Sequence, residues 1–361
     1  MWWPVHSSAL SPSNSKPDAN VFWELAQVLD RRQFLIGSLA ASLSYLAPGC
    51  RQFSPPWESA AYRKKARSQV AILGAKNYEI PLREIVLRGL KLFRINVQGK
   101  TVVLKPNLVE YDPAGVINTH PAVISAAIEA FRTLGARDVL VAEGPGHRRD
   151  IEYLLTASGL YSILKDHKAQ YVNLNEDDIR PLKLQSHFTN LKYLYFPETV
   201  LNADLLVSMP KLKTHHWAGV TLSLKNMFGV VPGSIYGWPK NTLHWAGIDE
   251  SIADINSSLP IPRFAIVDGI VGMEGNGPIQ GTAKHCGVMI FGEDHVAVDA
   301  TAARLMKIEP MKIKYLEWAE QFLGNTAEEK IEQIGERLDS FRQDFHVIQS
   351  FQHLKILTGG A

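Results

Sequence analysis

The chain has 361 residues, with 38 Lys and Arg against 36 Asp and Glu for a formal net charge of +2. This near-balance excludes binding to nucleic acid through bulk charge, and an apolar content of 46% excludes a disordered chain. Two cysteines, Cys50 and Cys286, exclude a disulfide scaffold and any four-cysteine zinc or iron–sulfur site within one chain.

Taken from the start, residues 1–30 carry no clear periodicity. Asp30-Arg31-Arg32-Gln33-Phe34-Leu35-Ile36 then precedes a small, uncharged apolar stretch from Gly37 to Leu46. Paired arginines before an apolar stretch too short to span a bilayer resemble a twin-arginine signal. Residues 1–50 are therefore read as an address. It implies the twin-arginine export machinery as a partner and a destination across the bacterial inner membrane. Leu46-Ala47-Pro48-Gly49-Cys50 is similar to a lipoprotein cleavage box, although Pro48 fits it poorly, and makes Cys50 a candidate lipid anchor. No run of about 20 apolar residues predicts a transmembrane span. Residues 51–68 read as a linker, with Pro55-Pro56 and basic Arg63, Lys64, Lys65 and Arg67.

Residues 69–345 read as the folded body, with a subdomain break placed near 175–200 and a tail at 346–361. Val70–Leu73 predicts a strand. Pro81 to Phe93 predicts a helix with Pro81 at its first turn and Leu82, Ile85, Val86 and Leu90 on one face. Thr101–Leu104 is a short apolar run, the mark of a strand buried on both faces. Thr119 is placed as the cap of a helix whose stripe is Val123, Ile124, Ala127, Ile128, Phe131 and Leu134, and Gly135 ends it. Val139–Ala142 is the next strand, and buried runs follow at Leu205–Val207, Phe264–Val267 and Val288–Phe291. A helix is expected from Asp294 to Lys307, and a helical tail from Thr326, where Thr326 and Glu329 have capping-box spacing. Alternating strands and helices predict an α/β fold: a largely parallel twisted sheet with helices on both faces and the site at its carboxyl edge.

Each apolar run ends in polar residues. These are Lys105-Pro106-Asn107, Glu143 to His147, Ser208 to His216, Asp268-Gly269, and Gly292-Glu293-Asp294-His295. In a parallel sheet such ends share one edge, where open α/β sheets bind ligands. From Lys211 to Ile248 there are four lysines (Lys211, Lys213, Lys225, Lys240) and three histidines (His215, His216, His244), with no Asp or Glu. Trp217, Trp238 and Trp245 are interleaved. Lysines without local partners can hold a phosphate or carboxylate, and the rings can cover its apolar part. Asp268 to Gly281 holds five glycines in fourteen residues, which permit close backbone approach to a ligand; the alternative is a glycine-rich turn capped by Asp268 and Glu274. His215 and His216, as strand neighbours, are expected on opposite faces. No nucleotide-phosphate loop, GxSxG elbow or HExxH motif occurs, and Cys286 reads as an inert buried thiol.

Several of these segments resemble the "domain of unknown function 362" family. They are Lys105-Pro-Asn107, Glu143-Gly-Pro-Gly146, Pro210-Lys-Leu-Lys-Thr-His215, Ser223-Leu-Lys-Asn-Met-Phe-Gly229, Asp268-Gly-Ile-Val-Gly-Met-Glu-Gly-Asn-Gly-Pro278 and Ala297-Val-Asp299-Ala with Leu305-Met306. The likeness runs from about residue 70 to 340. It implies an α/β body with a ligand site built from these segments, and no particular reaction. Many relatives carry an added ferredoxin-like cysteine module. This chain lacks those cysteines, so a cysteine-ligated iron–sulfur cluster is not expected within it.

The expected function is that of an exported enzyme acting on an anionic small molecule. Lys105, Lys211, Lys213 and Lys225 would bind the anion, with Asn107 and Asn226 orienting it. His215, Asp268 and Glu274 are the candidate catalytic residues, and Glu143 with Asp268 the candidate ligands of a divalent metal. The alternative is a non-catalytic envelope binding protein, or an accessory protein of a redox assembly, with structural carboxylates.

Overall fold

A central sheet is built by β1 (Ser68–Gly74), β2 (Thr101–Pro106), β3 (Asp138–Glu143), β4 (Tyr171–Asn173), β7 (Leu205–Met209), β10 (Arg263–Asn276), β11 (Gln280–Gly292) and β12 (Ile331–Gly335). The computed structural model describes residues 54–146 and 150–356, and those from Pro55 on belong to one compact unit. Strand order is β12-β1-β11-β10-β7-β2-β3-β4. Pairing is parallel except where β11 meets β10 and β1. β8 (Lys211–His215) continues β7 past Pro210 and also lies parallel to β10, and β9 (Gly219–Thr221) folds back on β8. β5 (Ile179–Lys183) and β6 (Tyr193–Pro197) form a separate two-stranded sheet.

Side chains alternate across the sheet, and each face is covered. Val70, Ile72, Val103, Leu206, Val267 and Ile290 enter one core, packed by α3 (Ile248–Ser258), α4 (His295–Leu305) and α5 (Lys314–Phe322). Ala71, Leu73, Leu104, Val207, Ile266 and Phe291 enter the other, packed by α1 (Leu82–Leu92) and α2 (Pro121–Thr133). The α/β architecture with helices on both faces is therefore present, and every apolar run named above is a strand. Residues after 345 also join the first core through Val347 and Leu354.

Four local expectations are corrected. The glycine-rich segment is a β-hairpin rather than a turn. β10 extends to Asn276, and only Gly277, Pro278 and Ile279 separate it from β11. So short a connection permits antiparallel pairing alone. It also sends Gly292–His295 to the sheet edge opposite the other polar strand ends. The glycines answer to neighbouring backbone: a Cβ on Gly272 would lie 2.7 Å from the Leu212 carbonyl oxygen of β8. Second, α2 is capped by His120, whose ring accepts from the Ala122 N–H, while the Thr119 hydroxyl donates to the Met209 carbonyl. Third, the expected tail helix is 3₁₀ turns plus β12. Edge pairing of β12 with β1 satisfies its backbone, and Thr326 bonds Glu320 rather than Glu329. Fourth, His216 follows the end of β8, so the strand alternation does not separate it from His215.

The expected export signal and Cys50 anchor lie outside the described residues. Among those described, no helix is long and apolar enough to cross a membrane.

Candidate functional site

A cavity of about 380 Å³ opens at the carboxyl ends of β2 and β3, walled by β8, the hairpin tip and residues 221–244. It gathers Lys105, Asn107, Glu143, Lys213, His215, Lys225 and Asn226 of the expected site residues. It adds His216, Trp217, Thr221, Phe228, Lys240 and His244.

The floor is an ion pair. Lys105 leaves the end of β2 and donates to Glu143 Oε2 at 2.6 Å, to the Pro106 carbonyl at 2.8 Å and to Asn226 Oδ1 at 3.1 Å. Three acceptors, one of them a carboxylate, match the three donors of an ammonium. Glu143, at the end of β3, also accepts from the Leu108 N–H at 3.1 Å and from the Gly144 N–H at 3.0 Å. Burial lowers the pKa of Lys105, and Glu143 opposes that shift. Gly229 closes over the pair: a Cβ there would meet Glu143 Oε1 at 2.1 Å and Lys105 Nζ at 2.6 Å. Asn226 spends its amide on Lys105 and Ser208, so it positions Lys105 rather than orienting a ligand.

The remaining lysines of the cavity lack carboxylate partners among the described residues. Lys213 donates to the carbonyls of Ile117 at 2.8 Å and Pro278 at 3.3 Å. Burial, then Lys211 and Lys225, push its pKa well down. Lys240, in a left-handed conformation at φ 69°, donates to the carbonyls of Gly144 and Phe228. Burial takes it to about 7 against the pull of Glu143. Lys225 is half-buried. Its Nζ lies 4.3 Å from the Phe228 ring centre, and it has no hydrogen-bond acceptor among the described residues. Burial and Lys105 lower it to about 8. Asp299 of α4 holds this lysine in place. Its carboxylate accepts from the N–H groups of Ser223 at 2.7 Å and Leu224 at 2.8 Å, capping the one-turn helix Ser223–Asn226.

His215 Nδ1 accepts from the N–H groups of Trp217 at 3.0 Å and Ala218 at 3.2 Å. Burial and Lys225 hold the ring neutral, well below the usual histidine range. With Nδ1 accepting, the ring proton sits on Nε2. Burial lowers His244 to about 4. Two buried wall atoms, Asn107 Oδ1 and Thr221 Oγ1, have no hydrogen-bond partner among the described residues.

Three expected residues lie elsewhere. Lys211 pairs with Asp268 at 2.6 Å, beside a separate hollow of about 200 Å³. Tyr78 donates to Asp268 at 3.0 Å, and the His120 N–H closes the same carboxylate at 3.0 Å. This network pairs the two charges with each other, away from the cavity. Glu274 sits on the hairpin, accepting from Lys284 and the His346 N–H. Glu143 borders the cavity, Asp268 lies outside it, and each is paired with its own lysine, so the structure does not bring the two carboxylates together. Among the described residues no three His, Cys, Asp or Glu side chains gather as metal ligands. Lys240, His216, His244 and Trp217 had a signal in the acid-free run 211–248. Thr221 and Phe228 lie in the same run, Phe228 also within the family segment Ser223–Gly229, but neither is among the expected site residues.

A thylakoid-associated protein of Synechocystis sp. is 26% identical over 226 residues, covering 60% of this chain and 65% of its own length. The chain thus spans less than two thirds of that relative. Among solved structures, the lactate racemase apoprotein of Thermoanaerobacterium thermosaccharolyticum superposes with a TM-score of 0.41 at 12% identity, covering 68% of this chain and 58% of its own. A Thermotoga maritima protein reaches 0.35 at 12% identity, over 69% and 61%. The model of the domain of unknown function DUF362 matches residues 102–304, which takes in every side chain of the cavity wall, and the chain belongs to that family.

Proposed function

We propose that the cavity binds a small phosphate- or carboxylate-bearing molecule and that the protein is an enzyme acting on it. The observation that carries this reading is Lys225: a cation facing the cavity with an aromatic ring beneath it and no acceptor among the described residues. An anion supplies what it lacks. The His215 Nε2–H and the Thr221 hydroxyl add neutral donors, and Asn107 Oδ1 accepts from a ligand hydroxyl. Trp217, Phe228, Pro239 and Ile279 cover the apolar part. His215 serves here as a fixed donor rather than as an acid or base.

The test begins with denaturing the purified protein and identifying released small molecules by mass spectrometry. Each is then titrated back by calorimetry, and its conversion is followed. A released anion that rebinds wild type but not K225M supports the site. The site reading fails if no anion is released and neither phosphate, sulfate nor small carboxylates bind saturably. One observation favours the binding-protein alternative: Glu143, the carboxylate of the cavity wall, is sealed by Lys105 and two backbone N–H groups. Recovery of the ligand unchanged after prolonged incubation would favour that alternative. Export, with lipid attachment at Cys50, completes the proposal and is supported by the Arg31-Arg32 motif.

A further inference from the structure

The buried lysines of the cavity differ in how their nitrogens are bonded. Lys105 has three acceptors, including Glu143, and is an ammonium by construction. Lys213 is as deeply buried but has two acceptors, both neutral main-chain carbonyls. An ammonium at Lys213 would leave a third N–H without an acceptor among the described residues, in a buried and positively charged setting. A neutral amine has two N–H bonds, and both are used.

We propose that Lys213 is the proton acceptor of the cavity, stored as a free amine whose two N–H bonds go to Ile117 and Pro278 and whose lone pair takes the substrate's proton. The inference rests on the anion-site reading and adds a reaction class to it, proton abstraction from an anionic substrate. In the step, an X–H bond breaks and its electron pair stays on X. A third N–H bond forms on Lys213, and no oxidant or reductant takes part. The two carbonyls remain as acceptors and stabilise the ammonium, while Lys225 faces the charge left on X. Imine formation fits less well, because even the protonated imine keeps only one N–H and loses at least one of the two carbonyl bonds.

The surrounding charges point the same way. Lys211 and His215 share β8 with Lys213, Lys225 faces it from the helix Ser223–Asn226, and Lys105 and Glu143 come from β2 and β3. Burial and the cations Lys211 and Lys225 outweigh Glu143. Lys240 also donates to two carbonyls, but burial lowers it only to about 7 and Glu143 is the leading charge beside it, so Lys213 is the stronger candidate for the stored amine.

Two measurements test the proposal on the folded protein. First, NMR of protein labelled with carbon-13 at the lysine ε position, with K213R for assignment, reports the ionisation of Lys213. A free-amine signal at pH 7 is expected, and an ammonium signal there overturns the proposal. Second, calorimetry of sulfate binding at pH 7, in buffers of different ionisation enthalpy, counts protons taken up. Sulfate itself does not titrate there. Wild type should take up more than K213M, by as much as about one proton per sulfate. Equal uptake overturns the proposal. If K213M does not fold, K213R carries the same comparison, because arginine can donate to both carbonyls and cannot accept a proton. Absence of sulfate binding by wild type counts against the anion site itself, and the NMR result then decides the state of Lys213 independently.

Discussion

Lys105 Nζ lies 2.6 Å from Glu143 Oε2, and the two side chains are 0% and 2% exposed. Each residue ends a neighbouring parallel strand, so the pair ties the carboxyl edge of the sheet together beneath the cavity. Removing one partner strands a buried charge, at a cost of about 3–5 kcal/mol. Glu143→Ala should therefore lower stability by that order in urea unfolding. The double variant K105M/E143M should lose markedly less, because no unpaired charge remains. Equal losses in the single and double variants would show that the pair is not coupled.

Lys225 makes no hydrogen bond within the described residues, so it adds little to folding. Lys225→Met should not lower the urea midpoint at pH 7, because it removes a cation whose folded-state pKa is depressed, and it should weaken anion binding by about 1.5–3 kcal/mol, the range for a hydrogen bond to a charged group. Calorimetry of wild type and variant with sulfate or the released ligand measures this. Unchanged affinity would place the anion elsewhere.

Stability should rise with pH above neutrality. Lys225 and Lys240 titrate at about 8 and about 7 in the folded protein. In the unfolded chain they return to about 10.4. Between these values the unfolded chain binds more protons, so the folded state gains as pH climbs from about 7 to about 10. The urea midpoint should be higher at pH 9.5 than at pH 7, and the rise should shrink in K240M. Over the same window the affinity for sulfate should fall as Lys225 loses its charge. A midpoint that drops across the window contradicts this assignment.

Gly229 approaches the floor pair too closely for any side chain. Gly229→Ala puts a methyl group against Glu143 Oε1 and Lys105 Nζ, and overpacking of this kind costs about 1–3 kcal/mol. Both the urea midpoint and sulfate affinity should fall, whereas Gly146→Ala, with its nearest outside atom 3.8 Å away, should change stability little. Comparable behaviour of the two variants would remove the steric argument.

The proposed export rests on Arg31 and Arg32. Replacing both with lysine should leave the protein on the cytoplasmic side, as read by cell fractionation. Unchanged localisation and processing would exclude the twin-arginine route.

Much of the fold was written in local pattern. The short apolar runs from Val70 to Phe291 announced buried strands, because a strand covered on both faces must be apolar at every position. Pro81 and Gly135 marked helix ends through their own backbone chemistry, and Asp294 through a carboxylate that accepts from the Val296 and Ala297 N–H groups. The clustering of Lys105, Asn107, Glu143, Lys213, His215 and Lys225 also followed from strand ends meeting at one edge. Partner choice was not local. Lys211 and Lys213 stand two apart on β8 and have the same chemistry. Tertiary structure alone gave Lys211 a carboxylate and Lys213 two carbonyls, because Asp268 of β10 lies opposite one and the hairpin tip opposite the other. The hairpin itself was hidden, since its glycines serve backbone contacts with β8 that no neighbour in sequence reveals. Ionisation is set by which atoms surround a nitrogen after folding, so the sequence names the charged residues and only the packed structure decides which of them keep their charge.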